Sequence, residues 1–151
     1  MIDAIGPFFR RYSRRTINWS KIIYNHLKTQ GAGHQEQWAR IRADLDTFCA
    51  NAAAMGYTAV SLDDVTHLAD HAWYELETRA RIARWSTEFR RCFEIVRRHG
   101  LQIYLTMDVF STTAAVRVQL AKLRWTVEDF LAEVLGNFLQ DFPEIAGVIM
   151  R

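Results

Sequence analysis

One unit recurs along this chain and fixes its fold class: an amphipathic helix, a breaker, a short apolar run, and a charged residue where that run ends. Residues 37–55 set Trp38, Ile41, Leu45, Phe48, Ala52 and Met55 at three- and four-residue steps, a single apolar stripe. Gly56 supplies the left-handed stop that side-chain-bearing residues resist, and TAVSLDD follows, closed by Asp63 and Asp64. Residues 78–99 repeat the design with Ile82, Trp85, Phe89, Phe93 and Val96, then Gly100 and LQIYLTMD, which ends at Asp108. The third helix, 127–142, opens on a capping-box pattern from Thr126 to Asp129 and presents Val127, Phe130, Leu131, Val134, Leu135 and Phe138. After Pro143, the run AGVIMR ends at Arg151. Upstream, SKIIYNHL (residues 20–27) reads as a first strand with Asn25 and His26 at its end, and KTQGAGHQE is the loop that follows.

Strands alternating with helices of this length predict an α/β fold, with parallel strands joined by right-handed crossovers. Two architectures fit: a doubly wound open sheet, or the first half of a (β/α)8 TIM barrel. Side-chain alternation separates them. Val60 and Leu62 share one face of their strand while Ala59, Ser61 and Asp63 share the other; Ile103, Leu105 and Met107 oppose Gln102, Tyr104, Thr106 and Asp108. One face is aliphatic and the other small or polar. A sheet covered by helices on both sides favours near-continuous apolar strands, whereas a barrel lumen near its functional end accepts polar groups. The expectation is therefore a partial barrel of about four parallel strands and three crossover helices. A complete barrel takes about 250 residues. On this reading residues 1–16 are a basic arm, and 17–151 are the N-terminal half of a barrel, cut at the end of strand four. Segments 65–77 and 109–125 read as long loops on the rim where such folds build their sites.

Composition excludes several classes. Half of the 151 residues are apolar, 24% are charged, and the net charge of +2 does not by itself imply nucleic acid or a membrane surface. Cys49 and Cys92 both fall within amphipathic helices and read as reduced core residues of a cytoplasmic-type protein. No apolar run approaches membrane-spanning length, and no signal-peptide core stands at the N-terminus. FFRRYSRR (residues 8–15) interleaves arginine with aromatics, as single-strand binders do, but no nucleic-acid motif frames it. An arm whose arginine stems cover apolar surface is the simpler reading.

The predicted rim gathers Asn25, His26, Asp63, Asp64, Asp108 and Arg151. Acidic groups there can orient sugar hydroxyls, hold a cation or perturb one another; an aspartate directly after a strand also commonly caps a turn. His67 and His71 share a face if their segment is helical, but Leu68 stands where a zinc protease has its glutamate, so no metal site is assigned. Gly31-Ala32-Gly33 lacks both the third glycine and the lysine of phosphate-binding loops and reads as a flexible connection. A receiver-domain reading fails because Asp63/Asp64 and Asp108 end consecutive strands. Trp73 and Tyr74, beside the acidic rim, suit the apolar face of a sugar ring, or else anchor their loop on the helix layer.

Taken together, NWSKIIYNHL, GYTAVSLDDVTHL, HGLQIYLTMDVF and PEIAGVIMR resemble the first four strands of a glycoside-hydrolase-type TIM barrel of hexosaminidase or α-glucuronidase style. The resemblance covers most of residues 17–151 and rests on layout. It implies a carbohydrate substrate for the full-length parent, with Asp63, Asp64, Asp108 and Arg151 holding sugar hydroxyls or a sugar carboxylate. Asn25, His26, His67 and Trp73 complete the implied substrate-binding set, with no cofactor. The catalytic acids of such families lie at or beyond strand four, so none is assigned here and the isolated chain is expected to be inactive. Two alternatives stand beside it. One is a metal-dependent barrel lyase or isomerase using Asp64 and Asp108. The other is a non-enzymatic four-stranded module that self-associates, or binds a partner, through its open sheet edges.

Overall fold

A computed structural model describes residues 1–3, 30–107 and 112–150. The predicted strand at 20–27, the basic segment at 8–15, and Asn25, His26, Asp108 and Arg151 lie outside the described residues. Among the described residues, four strands form one sheet in the order of the chain: β1 (Ile2–Asp3), β2 (Ala59–Leu62), β3 (Gln102–Met107) and β4 (Ile145–Met150). Every pairing is parallel. The strand beside β2 is thus Ile2–Asp3, from the segment expected to be an arm. Two residues are too few to show an alternating pattern, which is why the sequence does not mark them.

The connections are α1 (His34–Ala54), α2 (Leu76–Arg98), α3 (Ala114–Leu123) and α4 (Val127–Asp141). α1 and α2 end alike. The amide N–H of Tyr57 donates to Ala52 O at 3.0 Å and that of Leu101 to Val96 O at 3.3 Å, across Gly56 and Gly100 at φ 84° and 71°. Each is a Schellman stop that turns the chain straight into the next strand. α4 carries the expected capping box between Thr126 and Asp129. At the start of α1, Gly31 and Gly33 both sit at φ 78°, so this glycine pair serves the turn into the helix.

The apolar stripes face inward almost as the spacing predicts. Trp38, Leu45, Phe89, Phe93, Val96, Phe130, Val134 and Phe138 are buried, and they join Val60, Leu62, Ile103, Leu105 and Met107 in one core. Met55 and Val127 are exceptions: Met55 lies past the last turn of α1 and is 75% exposed, with Cys49 taking an inward position instead, and Val127, at the first position of α4, is exposed. The segment at 109–125 is not simply a loop, because it contains α3, capped at Thr113 and stopped by Arg124 at φ 57°. Val116 and Leu120 alone among its ten residues are buried, so its apolar stripe is too thin for periodicity to reveal.

Between α1 and α2 lies a charged knot that no stripe predicts. Glu88 is buried and accepts from Arg42 at 2.5 Å and from Arg91 at 3.2 Å, with His34 Nε2 at 3.4 Å. A carboxylate buried this deeply requires such partners. No helix among the described residues is long and apolar enough to cross a membrane.

Candidate functional site: the polar face of the sheet

Register and parity place the site. Asp3, Ser61, Tyr104 and Gly147 are partners across the four strands, so their side chains share one face. Asp63 and Thr106 lie two residues further along the same face. The opposite face carries Val60, Leu62, Ile103, Leu105 and Met107 into the helix-covered core. The sheet is therefore sided, with aliphatic groups under the helices and hydroxyls and carboxylates on the reverse.

The polar groups bond to one another across strands. Ser61 Oγ donates to Asp3 Oδ1 at 2.9 Å, and Thr106 Oγ1 donates to Asp63 Oδ1. Ser61, Asp63 and Thr106 are buried, whereas Asp3 and Gln102 are exposed. β2 is in fact buried on both sides, which its Ser61–Asp63 alternation alone would not suggest. Next to them, a Cβ placed on Gly147 would come within 3.0 Å of the Tyr104 ring, so this ring lies over the glycine backbone. Glycine there leaves an aromatic surface beside the carboxylates.

Asp63 and Asp64 are adjacent, joined by a cis peptide, and serve different ends. Asp64 Oδ1 accepts from the Thr66 amide at 3.1 Å and from Thr66 Oγ1 at 2.8 Å, capping the 3-10 turn Val65–His67. Of the two readings open for an aspartate after a strand, capping describes Asp64, while Asp63 stays on the polar face.

The histidines at 67 and 71 diverge. His67 ends the 3-10 turn and meets the Trp85 ring edge-on at 4.7 Å. Burial, with the Arg81 guanidinium nearby, pushes its pKa down to about 4. His71 points instead at α4, with Nε2 3.3 Å from Glu133 Oε1 and Nδ1 accepting from the Trp73 amide at 3.2 Å. No helix aligns the two rings, and no group of three or more potential metal ligands comes together among the described residues. Trp73 stacks on Phe130 with an interplanar angle of 11° and leans on Trp125. That ring face is occupied by α4, so Trp73 anchors its loop to the helix layer. Cys49 and Cys92 are buried free thiols, and burial raises their pKa values to about 11 and about 12. Neither is a poised nucleophile.

Of the predicted site residues, the structure therefore puts Asp63 on the polar face, Asp64 in a cap, and His67 and Trp73 against helices. Asp3 is the member that sequence reading misses, since only its pairing with Ser61 brings it to the face. No family model, curated protein or solved structure matches this chain.

Proposed function

We propose that this chain is one half of a (β/α)8-type barrel whose lumen face holds a carbohydrate. The single observation that supports the reading is the sidedness of a sequentially ordered parallel sheet. Its helix-covered face is aliphatic, while its other face carries Asp3, Ser61, Asp63, Tyr104 and Thr106. A doubly wound sheet reverses its strand order at a switch point, whereas a barrel adds each strand beside the last. Carboxylates and hydroxyls next to an aromatic ring are the groups that a polyol engages through its hydroxyls and its apolar ring face. In this reading the chain contributes substrate-holding residues to a glycoside-hydrolase-like parent. The carboxylates that would cleave the bond come from other strands of the closed barrel.

Calorimetric titration with a panel of neutral hexoses, N-acetylhexosamines and uronic acids tests it. Binding by the wild-type chain that falls at least tenfold in Asp63→Asn supports the reading. A flat response to the whole panel, or binding indifferent to Asp63→Asn, defeats it.

The topology favours one other reading. A two-fold rotation about a barrel axis would bring β4 beside the partner copy's β1 with strand direction preserved, so two copies of this half could close an eight-stranded barrel. Sedimentation resolves this: a dimer agrees, and a well-folded monomer at all concentrations does not.

A further inference from the structure

We propose that His71 is a proton-operated latch that ties the segment after β2 to α4 when neutral and releases it when charged. The ring is buried, and both of its nitrogens are engaged. The Trp73 amide donates to Nδ1, so Nδ1 holds the lone pair and the single proton of the neutral ring sits on Nε2, facing Glu133. A second proton can enter only at Nδ1. There it meets the Trp73 N–H, and two donors face each other across 3.2 Å. The hydrogen bond is lost. At Nε2 the opposite happens, because a charged ring donates more strongly to the Glu133 carboxylate. His71 therefore stays on α4 while the chain following it loosens.

The other groups facing the ring leave that asymmetry intact. From its own segment come Asp70, which accepts from the His71 amide at 2.8 Å, and Tyr74, whose phenol burial pushes up to about 12 and so keeps neutral. From α2, Arg79 occupies Asp70 with contacts of 3.0 and 3.1 Å. From α4 come Glu133, the ring's charged partner, and Phe130 at 4.9 Å between ring centroids. The part set free is short. Val65, Leu68 and Ala69 are core residues and Glu75 is held to α2 by the Arg79 amide, whereas residues 72–74 are held by the Trp73 amide, the Tyr74 amide bond to His71 O at 3.0 Å, and the contacts of the Trp73 and Tyr74 rings with Phe130. This segment lies against α4, on the helix side of the sheet and away from the polar face. The latch does not depend on what that face binds.

Nitrogen-15 NMR of the His71 ring in the full chain, followed across a pH titration, tests it. The expected result is an unprotonated Nδ1 in the neutral ring. The Trp73 amide resonance then shifts with the same midpoint as the ring, and Trp73 amide protection, corrected for intrinsic exchange, falls about tenfold on the acid side. In His71→Asn, the side-chain oxygen can replace Nδ1 as acceptor, and the Trp73 step should disappear. A proton on Nδ1 of the neutral ring, a Trp73 amide indifferent to the ring titration, or an unchanged step in His71→Asn would each overturn the proposal. The first two readouts use the wild-type chain and decide the matter even if the variant does not fold.

Discussion

The two faces of the sheet are made from alternate residues of the same strands, yet they carry different burdens. Val60, Leu62, Ile103, Leu105 and Met107 point into a core shared with the helices and have no polar atom to satisfy. Asp3, Ser61, Asp63 and Thr106 point the other way and satisfy one another by hydrogen bonds. Burying an aliphatic side chain stabilises by roughly 1.5–3 kcal/mol; a hydrogen bond to a charged group contributes about 1.5–3 kcal/mol, but a buried carboxylate must also be stripped of water, which an aliphatic group need not be. A chain selected only for stability would gain by making both faces aliphatic. That it keeps hydroxyls and a buried carboxylate on one face is the physical case for a ligand there.

The strongest way to break this comparison is truncation on the helix side. Leu105→Ala should cost about 2–5 kcal/mol in chemical denaturation, because Leu105 is fully buried at the centre of the core. A cost below about 1 kcal/mol would mean that this face does not carry the fold. Next comes the seam between the faces, where β2 runs into the 3-10 turn. The folded-state pKa of His67, about 4, lies below its ordinary value of 6.5. Between these values the unfolded chain binds more protons. The contribution of neutral His67 is therefore complete above about pH 6.5 and is lost as pH falls toward about 4. His67→Gln should flatten that part of the stability–pH curve, and an unchanged curve would refute the burial argument.

On the polar face the expected stability effects shrink and the binding effects grow. Asp63→Ala should cost about 1–3 kcal/mol, because the Thr106 hydroxyl keeps only the longer contact to Leu62 O at 3.5 Å. Asp64→Ala removes a turn cap worth about 1 kcal/mol and should leave saccharide binding unchanged, so the two neighbours differ in kind. Thermal melts paired with calorimetry check both; equal binding loss in the two variants would erase the distinction. Smallest is Gly147→Ala. The added methyl meets the flexible Tyr104 ring at 3.0 Å, and the expected cost is under about 1 kcal/mol, with displacement of the ring visible in its NMR shifts.

The helix-covered face was legible in advance because its signal is repeated. Stripes such as Ile82–Trp85–Phe89–Phe93–Val96 recur at a fixed step, and Gly56 and Gly100 stand where each helix must stop. The α/β class and the parallel strands follow from that rhythm. α3 escaped because two buried positions make no stripe, and β1 because two residues make no alternation. The site was harder for a different reason: its members meet through register, which is a long-range property. Asp3 and Ser61 are 58 residues apart, as His71 and Glu133 are 62 apart, and no local spacing encodes either pair. Asp63 could be placed on the polar face by parity, while the capping role of Asp64 depended on Thr66 two residues later.

The central claim is that the polar face is the binding face, and backbone-amide NMR during a saccharide titration tests it most directly. The account predicts shift changes concentrated at Ser61, Tyr104, Thr106 and Gly147, retained in Asp64→Asn and abolished in Asp63→Asn. Changes confined to the helix side, or a polar face that responds to no sugar in the panel, would contradict it.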